Sequence, residues 1–329
     1  MRTSTLLPLP LLSLFSLLST PLHALPTPAP NTSTIAGGST PNSDPPPTLS
    51  KTASGGFQAA LFLENLETAF FTQGAQNLSN IWNSSTSTIT TVSKVAAQES
   101  IHVQAIEGLL SHFNVELVPA CKYDFGVESE MEFLELANLI TTVGIGAVID
   151  LAVDTEVSDP ALTQTFASIL PVEARHDAFF RMEAGDGDFV VPNPTPFDTR
   201  LPGAYALNLA QQFVVEGSCA VVPDFPVIPA LEILSSTFCE TSSRLAEVSF
   251  SFDASLATSG QKLYIAWLNQ LNTPTYVEAE MAGEGVVKAQ VPENVNGGAF
   301  AVLTAQDTVM DVSQLVGVSV AGPAVVVVD

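Results

Sequence analysis

Two Glu-x-x-His pairs, Glu99 with His102 and Glu173 with His176, each lie inside a stretch of helical apolar period. Residues three apart share a helix face, so each pair aims both side chains at one spot. The apolar stripes say which spot. In the earlier segment Val92, Val95, Ala96, Val103, Ile106, Leu109, Leu110 and Phe113 form the stripe, and positions 99 and 102 fall within it. Phe166, Ile169, Leu170 and Phe180 do the same around Glu173 and His176, with Pro171 expected to kink that helix without ending it. Both pairs should therefore point inward. Four buried ionisable groups need compensation. A metal ion is the simplest compensation, and the pattern points to a carboxylate-and-histidine centre inside a four-helix bundle. The competing reading is a metal-free buried hydrogen-bond network of the same groups.

The amphipathic segments supply four helices: one from near Gly56, one over Thr88 to His112, one over Glu128 to Val153, and one opened by Asp159-Pro160 and running to Met182. Residues 55–185 are thus read as the bundle. Residues 186–245 form a Pro-rich connecting segment with helical patches around Gly203 to Val214 and Leu231 to Ser243. From Glu247 the period changes to alternation, as in Val248, Phe250 and Phe252, and turn residues separate successive runs, so residues 246–329 are read as a β-sandwich of immunoglobulin-like topology. The terminal Val325 to Val328 run reads as a last buried strand.

Ahead of the bundle, residues 1–24 have the form of a secretory leader: Arg2, an apolar run from Leu6 to Leu18, and Ala24 before cleavage. The run is short and broken by Pro8 and Pro10, so no membrane span is expected after its removal. Residues 25–54, rich in Pro, Ser and Thr, read as a disordered tether. Asn31, Asn77 and Asn83 open N-glycosylation triplets, with the latter two expected in an exposed loop. Cys121, Cys219 and Cys239 allow one disulfide and leave the pair open. A formal charge of −24 speaks against nucleic acid and anionic membranes as partners. Export, to the medium or the cell wall, is the expected destination.

Leu63-Glu64-Asn65-Leu66-Glu67-Thr68-Ala69-Phe70-Phe71, the Glu99-to-His102 pair, Val143-Gly144-Ile145-Gly146-Ala147 and, above all, Ile169-Leu170-Pro171-Val172-Glu173-Ala174-Arg175-His176 resemble the ferritin-like domain of desiccation-related and fungal stress-response or late sexual-development proteins. Pro196-Phe197-Asp198-Thr199 and Phe225 to Leu231 are similar to the segment that follows the bundle in that family. The likeness covers about residues 55 to 240. It implies a mainly α fold: a ferritin-like four-helix bundle, here followed by a C-terminal β-sandwich-like domain.

Proteins of that superfamily hold two metal ions with one Glu from each of two helices and a Glu-x-x-His from each of the others. Carried over by motif, Glu64 takes the first-helix place, because Phe71 follows it by seven residues, and Glu99, His102, Glu173 and His176 take the paired places. In the third helix Thr141 stands at the place assigned to the remaining carboxylate, and Glu67, one turn from Glu64, is the substitute. The expected metal set is therefore Glu64, Glu67, Glu99, His102, Glu173 and His176, for iron or manganese ahead of zinc. Three functions compete: a secreted stress or developmental protein with a degenerate metal site, a dinuclear iron or manganese oxidase or peroxide-dismutating enzyme, and a module that binds cell wall, protein or a second copy of itself. The third-helix gap favours the first, and whether the chain is an enzyme stays open.

Overall fold

The computed structural model describes residues 32–185, 190–238, 244–258 and 260–328. The expected leader, Asn31 and Cys239 lie outside the described residues. A short helix α1 (Thr32–Ala36) precedes the four bundle helices: α2 (Lys51–Asn80), α3 (Thr86–His112), α4 (Glu130–Thr155) and α5 (Thr163–Ala184). Serine starts three of these, since Ser50, Ser85 and Ser129 each accept a hydrogen bond from the backbone N–H three residues on. A 3-10 turn over Pro160–Leu162 leads into α5, which continues unbroken through Pro171.

Part of the presumed tether is ordered helix. Lys51 to Ser54 belong to α2, and α1 packs on α3 with Ala36 buried. Pro41, Pro45, Pro46 and Pro47 of the tether lie between these two helices and interrupt neither. Asn77 also differs from expectation: it lies in the last turns of α2 and is half-buried, whereas Asn83 is exposed in the following turn with φ 52°.

The bundle core is rich in phenylalanine. Phe70 and Phe71 of α2 meet Phe133 of α4 and Phe180 of α5, with ring centroids 4.9 Å apart for Phe70–Phe133 and 5.1 Å for Phe71–Phe180. This aromatic block fills one end of the bundle and fixes the helix spacing beside the Glu and His pairs. A disulfide between Cys121 and Cys219 ties the α3–α4 connection to the segment after α6 (Gly203–Gln211).

Eight strands follow: β1 (Glu232–Phe238), β2 (Leu245–Ser251), β3 (Tyr264–Leu268), β4 (Thr275–Glu278), β5 (Glu280–Gly283), β6 (Val286–Gln290), β7 (Gly297–Thr304) and β8 (Ser319–Val328), with α7 (Val312–Leu315) between the last two. They form two antiparallel sheets, β1-β2-β6-β5 and β4-β3-β7-β8. This order corresponds to strands A, B, E, D facing C′, C, F, G, the immunoglobulin-like sandwich. Trp267 of β3 is buried at its centre against Phe250 of β2. The helical patch expected at Leu231 to Ser243 is instead strand β1 over Glu232–Phe238. As an edge strand its side chains are all exposed, so no alternating burial marks it.

The second sheet is buried on both faces. Ile265 and Trp267 of β3 and Ala299, Ala301 and Leu303 of β7 face the sandwich core. Ala266, Leu268, Phe300 and Val302 face the other way, onto Leu201, Tyr205 and Ala206 around α6 and Val143 of α4. Thr199 pins this seam by donating to Gly298 O at 2.9 Å and accepting from Gln270 N at 2.7 Å. Arg200 crosses it, reaching Asp150 of α4 at 2.7 Å and Ser313 of α7 at 2.9 Å. Helix α4 is apolar enough by length and composition to cross a membrane. Here it packs against α2, α5 and α6.

Candidate metal centre

Three bundle helices bring five of the expected residues into one cluster. Glu64 comes from α2, Glu99 and His102 from α3, and Glu173 and His176 from α5. Glu99 is fully buried, Glu173 and His176 nearly so. The two Glu-x-x-His carboxylates each span both histidines. Glu99 places Oε2 at 2.9 Å from His102 Nδ1 and Oε1 at 2.8 Å from His176 Nδ1. Glu173 does likewise, at 3.1 Å from His102 and 3.4 Å from His176. Glu64 belongs to one side only, with Oε2 at 3.4 Å from His102 Nδ1.

The carboxylate oxygens are poorly served as hydrogen-bond acceptors. Glu64 Oε2, Glu99 Oε1, both oxygens of Glu173 and His176 Nδ1 are buried without a hydrogen-bond partner. His176 Nδ1 stands close to Glu99 Oε1 but approaches off the hydrogen-bonding direction. Apart from the His102–Glu99 hydrogen bond at 2.9 Å, these atoms converge without bonding one another and are placed to share a third body. Donor atoms of Glu64, Glu99, His102 and Glu173 all lie within 4.8 Å of one another, a spacing that could hold a metal ion. An O₃N donor set of this kind suits iron, manganese or zinc. A metal-free network would leave these oxygens unsatisfied, at a cost that such burial ordinarily forbids.

Charge follows the same division. Burial drives the Glu64 carboxyl up to about 8, against the pull of His102. Burial, with Glu99 and Glu173 nearby, also holds Glu67 well above the usual carboxylate range. Glu99 is buried too, but the hydrogen bond from His102 and the adjacent His176 ring outweigh burial and hold it down at about 2. Burial would lower both imidazoles, yet Glu64 and Glu173 raise His102, and Glu173 and Glu99 raise His176 to about 9. Without metal, the cluster therefore stores protons that a cation would displace.

The sixth expected residue, Glu67, is buried but stands outside the compact group of four. A Cβ built on Gly144 of α4 would meet Glu67 Oε1 at 2.7 Å. Gly144 thus marks where α4 comes against the cluster, and the Glu67 side chain fills the space its missing side chain leaves. Thr141 does not occupy that place. Its hydroxyl bonds back to Ala137 O at 2.9 Å and donates to Asp177 Oδ1 at 3.0 Å, in a polar group with Asn138 and Thr142. One helical turn separates the two positions, and nothing in the apolar period distinguishes them.

Gln98 escapes a reading by motif. Its amide nitrogen donates to the Ala36 carbonyl of α1 at 3.2 Å, which turns its Oε1 toward His176 Nε2 at 2.8 Å. A carbonyl only accepts, so the amide is oriented and His176 Nε2 is the donor. Once the ring gives up its second proton, as it would to a cation, the Nδ1 lone pair faces the cluster.

Residues 54–186, which span α2 to α5, match the ferritin-like domain family. The chain carries a ferritin-like domain followed by a β-sandwich, with a buried Glu and His cluster fit for metal between the helices. No match to the chain was found among curated proteins.

Proposed function

We propose that the protein is exported and binds metal in a degenerate form of a dinuclear centre, taking fewer than two ions per chain. The observation that carries this reading is the convergence of Glu64, Glu99, His102 and Glu173 on one buried point with carboxylate oxygens that no hydrogen bond satisfies. Glu99 and Glu173 are the carboxylates able to bridge. Glu64 completes the His102 side. Among the described residues the His176 side has no carboxylate beyond Glu99 and Glu173. Iron or manganese suits this oxygen-rich set better than zinc. A dinuclear oxidase or peroxide-dismutating enzyme would need the absent α4 carboxylate, so a stress or developmental role, with the metal chiefly supporting the fold, is the better reading.

The leader pattern, the exposed Asn83 triplet and the Cys121–Cys219 disulfide support export to an oxidising compartment. Elemental analysis of purified protein after separate incubation with iron, manganese and zinc tests the metal reading. About one ion per chain is expected. A metal-free protein after all three incubations would overturn it.

A further inference from the structure

A cavity of about 310 Å³ opens between α2 and α4 and ends on the centre. Its wall is apolar, from Ala60, Leu63, Ala147, Leu151, Leu207 and Phe225. Its floor is Glu64, Glu67 and Glu173. Glu64 Oε2 and both Glu173 oxygens are buried polar atoms without hydrogen-bond partners, so the floor offers unsatisfied acceptors. At its rim stand Asp150, Asp154 and Asp224, and no Lys, Arg or His is among the lining residues. Arg200 engages Asp150 and Asp154 from outside the cavity and leaves Asp224 to face it.

We infer that this cavity is a binding site for a small molecule with an apolar body, a hydrogen-bond-donating end and no negative charge, such as a short-chain alcohol or amine. The apolar wall takes the body and the acceptor-rich floor takes the donor. The carboxylates at both ends, in a chain of formal charge −24, turn away anions. The volume equals roughly ten waters' share of liquid, which fits an occupant of about ten non-hydrogen atoms or fewer. The inference rests on the proposed metal centre only for the identity of the floor.

Calorimetric titration with 1-hexanol, hexylamine and hexanoate tests it, since the three share one apolar body. The ranking is read in metal-stripped protein, where no ion can ligate the carboxylate probe. Hexanol and hexylamine should bind, and hexanoate at least tenfold more weakly. Ala60→Leu and Ala147→Leu, which grow side chains into the cavity from two different helices, should each weaken hexanol at least tenfold while circular dichroism stays unchanged. Absence of binding by both hexanol and hexylamine, hexanoate binding as tightly as the others, or folded Leu variants that bind as wild type would each overturn the proposal. Uptake of iron, manganese and zinc is measured in parallel. Probe binding in the expected order by a protein that takes up none of the three keeps the cavity site and rejects the metal centre; normal uptake of any of them without probe binding does the reverse.

Discussion

The two Glu-x-x-His pairs are the same motif in adjacent quarters of one bundle, yet their surroundings differ. His102 faces three carboxylates, from Glu64, Glu99 and Glu173, with its Nδ1. His176 faces only the two shared ones, Glu99 and Glu173, and is held from behind by Gln98. What separates them is a third helix: α2 supplies Glu64 to the His102 side, while among the described residues no third carboxylate lies in ion-pair range of His176. A ligand motif therefore defines half of a site, and the helix opposite decides whether that half is complete.

The asymmetry should be plainest on removing each histidine. His102→Ala is expected to weaken metal binding by more than ~100-fold and to abolish the rise in Tm that metal confers, whereas His176→Ala should cost only about tenfold. Equal losses, measured by competition with a chelator, would make the halves equivalent. Restoring the absent carboxylate should sharpen the contrast from the other side. In the double variant Glu67→Ala with Gly144→Glu the space beside residue 144 is cleared, the new carboxylate enters from α4, and zinc stoichiometry should move from about one toward two. A stoichiometry that stays at one would mean that Gly144 does not face the His176 half.

Gln98→Leu removes the acceptor that orients His176, so a loss of about tenfold in affinity is expected at most, with no effect on the Glu64 side. Cobalt substituted into the centre should show an altered visible spectrum in that variant, a change that mere loss of stability would not produce. The smallest effect concerns pH. Without metal, Glu64 is raised from 4.5 to about 8 and His176 from 6.5 to about 9. Each raised group contributes stability that is full below its unfolded value and lost as pH climbs through its folded value. Metal-free Tm should therefore fall by a few degrees between pH 6 and 8. Metal replaces those protons, so the loaded protein should hold steady and the increment from zinc should grow over the same range. An increment that is constant with pH would count against proton displacement.

Much of this arrangement could be read from the chain itself. Helical period exposed the inward faces of α3 and α5 because Glu99, His102, Glu173 and His176 sit inside unbroken apolar stripes. The family likeness placed Glu64. Alternation announced the strands after Glu247 for the same reason, a buried face every second residue. Gly144 was hidden because a residue without a side chain leaves no mark in a period. Gln98 was hidden because its two partners, Ala36 and His176, are remote in sequence. Strand β1 was missed because an exposed edge has no burial pattern to display. The double burial of β3 and β7 was masked as well: Ala266 and Leu268 look like the inner face of an ordinary sandwich strand, although Trp267 is the residue that fills the sandwich.

That doubly covered sheet changes how the molecule should come apart. Phe300 and Val302 belong to the seam as fully as Ala299 and Ala301 belong to the sandwich core, and they alternate along a single strand. No cut near Glu247 can free one part without stripping apolar surface from the other. Scanning calorimetry should therefore record one heat-absorption peak, not two, and a bundle expressed alone should self-associate through its bared α6 and α4 face.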